Sequence, residues 1–319
     1  MVHLQLAFLS FLLSSSLAQH KLSSDIVGCK DVSCPKDGSD DRCTVGDTTF
    51  IGIGLTRISD LPSSLDGLSL VKGVNMSAGS GDPEQDNSPF QSVYYLGTPS
   101  RVKEKDLAGC AVVFHDPPAK KFPAPKLPGN TNLTDTRVAH GTCPAVIEQK
   151  CIDNLTKRAT MAIDNAQGQD ICADLRSQLK RDTIDGCADL AGTGHGLGNF
   201  TVTSLGDLSP VRNSSDCWPI QPKSDNLAEI TQNTVLRNAS AEAVYDEAYK
   251  ITAVLTVFAG KGNSSLVKQT SSQMTCLKLV TNENPGGDKG ADKNSATPIY
   301  NGLLTTVVAT VFAAMLTSM

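Results

Sequence analysis

Tryptophan occurs once in the 319 residues, as Trp218, and all aromatic residues together make up 5% of the chain. Exposed aromatic platforms of the kind that lectins use are therefore scarce, and Trp218, next to Cys217, is expected to pack on a disulfide. Histidine is also sparse. Besides His3 there are four, His20, His115, His140 and His195, with no H-E-x-x-H and no pair three or four apart, so a helix-borne zinc site is excluded. An excess of basic charge is missing too: 28 Lys and Arg stand against 33 Asp and Glu, a formal charge of −5. That balance disfavours nucleic acid as a partner.

Both ends lack charge altogether. Residues 1–18 carry an apolar run from Leu4 to Leu17, with Ser16 and Ala18 at the −3 and −1 places of a cut before Gln19. They read as a secretory signal peptide, with His3 where Lys or Arg is usual. Residues 295–319 end inside a second apolar run, Leu303 to Met319, with no Lys or Arg after it. A membrane span would normally be followed by cytoplasmic basic residues. A removable GPI-attachment signal fits better, with Asn294-Ser295-Ala296 as the small-residue site and Asn294 as the attachment residue. The polar spacer, Thr297 to Gly302, is short for such a signal; attachment at Gly290 would lengthen it but puts Asp292 where a small residue is wanted.

The chain between, Gln19 to Asn294, is only about 35% apolar, which is lean for a globular core. All ten cysteines lie in it: Cys29, Cys34, Cys43, Cys110, Cys143, Cys151, Cys172, Cys187, Cys217 and Cys276. An even number behind a signal peptide predicts a disulfide framework of up to five bridges. Seven sequons, at Asn75, Asn132, Asn154, Asn199, Asn213, Asn238 and Asn263, predict N-glycans on several faces.

The organisation reads as one disulfide-stabilised α+β ectodomain over residues 19–281, then a Gly/Asn/Asp/Lys-rich stalk at 282–294. Short β-like runs open it, at Thr48 to Leu55, Leu68 to Val74, Gln91 to Leu96 and Ala111 to Phe114. Five prolines between Asp116 and Gly129 predict an extended surface loop. A central helical hairpin is expected next. Ile147, Cys151, Leu155, Ala159 and Ala162 form the stripe of its first helix; Ile171, Leu175 and Leu179 form that of its second, from about Asp170. Near-constant index sums suggest the staples Cys143 to Cys187 and Cys151 to Cys172 across that hairpin, with Cys110 or Cys217 as competitors. Strands return at Phe200 to Leu205, Ile251 to Phe258 and Met274 to Val280, while Tyr245 to Lys250 either begins a strand or ends a short helix.

Catalytic strings are near misses. The loop Gly192 to Gly198 fails the dinucleotide fingerprint at Leu197, so His195 reads as part of a turn. Ser80 lacks the first glycine of a nucleophile elbow. Asp82, Glu84 and Asp86 begin like a calcium loop, but Asn87 and Val93 stand where Gly and Glu are required. No cofactor and no metal ligand is expected.

The stretches Asn213 to Lys223 (NSSDCWPIQPK), Ala253 to Phe258 (AVLTVF) and Met274 to Lys278 (MTCLK), with G-T-C and C-I-D-N-L in the middle, resemble a group of uncharacterised secreted, GPI-anchored-type proteins of filamentous ascomycete fungi. The resemblance covers most of residues 107–280 and implies a location rather than a chemistry. The expected function is a non-catalytic structural or interaction role at the plasma membrane's outer leaflet or in the cell wall. Its partners would be the membrane through the GPI lipid, wall polysaccharide or surface proteins. The alternatives are a surface hydrolase or transglycosidase with a carboxylate pair, and a small-ligand or carbohydrate-binding module.

Overall fold

The structure is a computed structural model. It describes residues 26–281 apart from 33, 35–41, 77–86, 123–140, 169, 182, 191–195, 213–219, 221–225, 239–240 and 261–265. The fold is strand-rich α+β.

A hairpin of β1 (Cys43–Val45) and β2 (Thr48–Phe50) leads into β3 (Gly52–Arg57), β4 (Ser69–Met76), β5 (Asn87–Thr98) and β6 (Gly109–Phe114). Helices α1 (Gln149–Asn165) and α2 (Ile171–Arg181) follow, then β7 (Phe200–Ser204), β8 (Asn226–Asn238), α3 (Ala241–Ala248), β9 (Thr252–Phe258) and β10 (Ser271–Leu277). Two four-stranded antiparallel sheets result, in the orders β3-β4-β5-β8 and β10-β9-β6-β7.

Period-2 alternation explains how these strands stack. In β6 and β9 every residue is buried. Ala111, Val113, Val254 and Phe258 join Leu70, Tyr94 and Leu96 of the first sheet in one apolar cluster. Val112, Phe114, Leu255 and Val257 point the other way, against Leu155, Ala159, Leu175 and Leu179 of α1 and α2. The outer face of the first sheet is covered by the β1–β2 hairpin, where Val45 and Phe50 pack on Val71, Val93 and Tyr95. A continuous apolar run is what a strand covered on both faces requires, and AVLTVF is such a run.

Four disulfides join described cysteines: Cys29–Cys43, Cys110–Cys172, Cys143–Cys276 and Cys151–Cys187. The two staples inferred from index sums are thereby corrected. Those sums assume that all four cysteines face the partner helix. Instead Cys172 faces the sheet and reaches Cys110 on β6, while Cys143, in a 3-10 turn before α1, reaches Cys276 near the end of β10. Cys34 is buried beside the β1–β2 hairpin.

Tyr245 to Lys250 proves to follow the helical alternative, with the Tyr249 amide donating to the Tyr245 carbonyl. Strand β8, thirteen residues long, had no counterpart in the sequence reading. Past Ile230 it runs half-exposed along the sheet edge and carries polar residues on both faces, so no apolar alternation marks it. Among the described residues no helix is long and apolar enough to cross a membrane.

Candidate functional site: a lysine- and tyrosine-lined pocket

Lys72 stands in β4 between Leu70 and Val74, on the face that meets the second sheet, and is fully buried. Its Nζ donates to the Lys250 carbonyl at 2.8 Å. Beside it, the hydroxyls of Tyr94 on β5 and Thr252 at the start of β9 lie 3.2 Å apart. The segment from 250 to 252 is thus held to the first sheet by two polar contacts through an otherwise apolar interface. α3 precedes that segment and delivers Glu247, 4% exposed, which pairs with Lys250 on one side and with Arg237 Nε of β8, at 3.2 Å, on the other.

The electrostatics follow from burial. Desolvation, reinforced by the neighbouring Lys250 and Lys278, holds the Lys72 ammonium well below the ordinary lysine value, although Glu247 pulls the other way. Burial pushes the Glu247 carboxyl up, but its ion pairs with Lys250 and Arg237 outweigh this and leave it below the usual carboxylate range. Burial raises the Tyr94 hydroxyl to about 12. At the end of β6, His115 is 7% exposed and shares a 2.7 Å hydrogen bond between Nε2 and the Thr201 hydroxyl. Its Nδ1 has no hydrogen-bond partner among the described residues. Burial and then Lys250 depress its pKa, against the opposing effect of Asp116.

Outside this buried cluster lies a pocket of about 290 Å³ between the start of the proline-rich loop and α3. Pro117, Pro118 and Phe122 line it from the loop, Tyr245 and Tyr249 from the helix, and Ile251 from the segment entering β9. The two tyrosine rings stack at 5.9 Å and 17°, as i, i+4 neighbours on a helix can. Lys278 Nζ lies 5.9 Å from the Tyr249 ring centre, a cation–π contact. Lys120, Lys121 and Lys250 complete the positive wall, with Asp246 opposite in charge; Lys120 is tied to Asp189 at 3.0 Å. The lining is a mostly apolar surface with a few convergent charges, which is the usual composition of a small-ligand site. Lys72 does not line it, so its depressed ammonium is not presented to a ligand.

Two other depressions are less suited to a small ligand. The larger, about 1080 Å³ between α1 and α2, is open and polar and includes the sequon residue Asn154. The other, about 720 Å³, brings Asp47, Asp207 and Glu229 to one depression with Tyr95. It adjoins a bulge in β8, where Tyr94 pairs with Thr231 but Tyr95 pairs with Glu229.

The sequon residues that the structure describes are scattered. Asn75 lies on β4 and pairs across to Gln91, Asn154 on α1 donates to the Asp185 carbonyl at 2.9 Å, Asn199 is exposed before β7, and Asn238 closes β8. Asn132, Asn213, Asn263, Cys217, Trp218, Gly290 and Asn294 lie outside the described residues, as do His20, His140, His195, Ser80, Asp82, Glu84, Asp86 and both terminal segments. His115, the histidine among the described residues, adjoins the lysine cluster. No sequence motif marks the pocket. Its elements come from positions 117–122, 245–251 and 278, and only the fold brings them together. The one local sign in the sequence is the Tyr245-x3-Tyr249 pair at helical spacing. Among the described residues no three His, Cys, Asp or Glu side chains cluster as metal ligands do.

Comparison of the chain with protein-family models, with curated proteins and with solved structures gave no match.

Proposed function

We propose that this chain is the ectodomain of a secreted, N-glycosylated, GPI-anchored fungal surface protein that acts by binding rather than by catalysis. Its central helical hairpin and its sheets form the scaffold, and the pocket between the proline-rich loop and α3 is its ligand site. The observation that carries the reading is the pairing of apolar walls with converging lysines in one small pocket. The four disulfides among the described cysteines fit an oxidising route to the surface. The uncharged termini, the sequons and the resemblance to fungal GPI-anchored-type proteins supply the location, with Asn294 as the lipid-bearing residue. Wall polysaccharide and neighbouring surface proteins are the surroundings in which such a binder works.

A thermal-shift screen of small neutral and charged organic compounds on the processed chain tests this. Compounds that raise Tm of the parent protein but not of the Tyr245→Ala variant are expected. A screen in which nothing stabilises the parent overturns it.

The second reading, a surface hydrolase with a carboxylate pair, has one observation in its favour. Asp47, Asp207 and Glu229 share a depression beside the β8 bulge. Hydrolysis of wall glycans that disappears in both Asp207→Asn and Glu229→Gln would move the function to that site.

A further inference from the structure

We propose that the groove between α1 and α2 seats the chain's own N-glycan, attached at Asn154 and laid along the groove toward Met161, where it clamps the two helices together. The inference rests on the secreted, N-glycosylated part of the reading above and is independent of the lysine- and tyrosine-lined pocket. Three features of the groove carry it. The first is position. Asn154, of the Asn154-Leu155-Thr156 sequon, stands in the wall of this depression of about 1080 Å³, and the facing wall comes from α2 and the turn after it. The sequon residues Asn75 and Asn199 line none of the three depressions described above.

The second feature is anchorage. An asparagine inside a helix gains little from its own backbone, and here the side-chain Nδ2 reaches out and donates to the Asp185 carbonyl at 2.9 Å. The Cys151–Cys187 disulfide, one helical turn before Asn154, holds that acceptor against α1. An amide nitrogen carries two hydrogens and glycosylation takes one, so the bond to Asp185 and the sugar coexist. Attachment joins Nδ2 to the anomeric carbon, releases the proton and frees the lipid diphosphate that carried the oligosaccharide. In the folded chain Leu155 is fully buried and the Thr156 hydroxyl donates to the Ile152 carbonyl at 2.7 Å, so this transfer precedes the folding of α1.

The third feature is the chemistry of the walls. Met161 follows Asn154 by seven residues, which places it two turns, about 10 Å, further along the same face of α1. It is 52% exposed, one of two large apolar side chains left so among the described residues. A sugar ring has apolar C–H faces and a rim of hydroxyls. It can cover Met161 while Asn165, Ser177 and Gln178 supply neutral donors and acceptors from both helices. An open, polar groove suits a hydrated chain of sugars, whose remaining hydroxyls keep their water.

The test begins with the processed chain from a fungal host, whose glycopeptides are weighed; Asn154 is expected to carry an oligosaccharide. Because Asn154→Gln would disturb the Asp185 bond along with the sugar, the exposed Met161→Ala serves as the variant. Scanning calorimetry compares it with the parent before and after an endoglycosidase trims every N-glycan to its first sugar. Met161→Ala is expected to lower Tm by about 2 °C before trimming, and the two trimmed proteins are expected to melt together. An unmodified Asn154 in a protein whose other sequons carry sugar overturns the inference and leaves the surface reading standing. Absence of sugar from every sequon brings down the N-glycosylated reading as well. A Tm difference that is the same before and after trimming, or absent from both, also overturns the inference, since the glycan then makes no contact along the groove.

Discussion

Lys72 on β4 donates its ammonium hydrogen to the carbonyl of Lys250, 178 residues away, across the interface of the two sheets. A lysine without exposure at that place is a local defect in an apolar interface, and it fixes where the segment entering β9 crosses the first sheet.

Replacement of this lysine tests its cost. The folded state holds Lys72 well below its ordinary 10.5, so between the two values the unfolded chain binds more protons and stability rises with pH. Below the folded value the full penalty is present. Lys72→Met is therefore expected to raise stability at neutral pH by about 1 kcal/mol despite the lost hydrogen bond. It should also flatten the rise toward pH 10.5. Urea unfolding of both proteins across that range measures this; a variant less stable than the parent at neutral pH contradicts it.

Glu247 has the opposite role, since it answers Lys250 and Arg237 from a buried position. Glu247→Gln is expected to destabilise by about 3 kcal/mol, the low end for breaking a buried pair because Arg237 is half-exposed. Glu247→Gln combined with Lys250→Met should recover part of that loss, and a double-mutant cycle in urea checks the coupling.

Acid sensitivity should trace in part to His115. Its folded pKa lies below 6.5, so as pH falls through 6.5 the unfolded chain takes up a proton that the folded one refuses, and stability is lost. Subtracting the pH profile of His115→Leu from that of the parent should leave this loss below pH 6.5. A flat difference would show that the buried ring is protonated without penalty.

The disulfide framework yields a mapping prediction. Eight of the ten cysteines are bridged among the described residues, and Cys34 is buried in the same cluster as Ile220, three positions after Cys217. Non-reduced peptide mapping should find Cys34 linked to Cys217 and no thiol open to alkylation. Alkylation of either cysteine in the folded protein contradicts it. Loss of Cys143–Cys276, which closes a 133-residue separation, should cost about 4–5 kcal/mol in the chain-entropy account.

These residues also show what the sequence could and could not reveal. The runs AVLTVF and AVVF announced strands, which the fold buries on both faces, and the Cys151, Leu155, Ala159 stripe announced a helix, because burial leaves its mark on local sequence. β8 escaped because an edge strand is under no such pressure beyond Ile230. The disulfide partners escaped because pairing depends on which face of each helix meets the sheet, a tertiary fact that index sums do not contain. The pocket was illegible for the same reason. Lys72, Lys250 and Lys278 each look like a solvated charge in sequence, and only the stacking of two sheets buries them together.

Display of the pocket from a lipid-anchored ectodomain is tested most directly by one measurement. The full chain is expressed in a fungal host, the membrane fraction is treated with phosphatidylinositol-specific phospholipase C, and the C-terminal peptide of the released protein is weighed. Release, with a glycolipid remnant on Asn294, is the expected result. Retention after phospholipase treatment, with residues 303–319 still attached, would contradict it and make the chain a tail-anchored membrane protein.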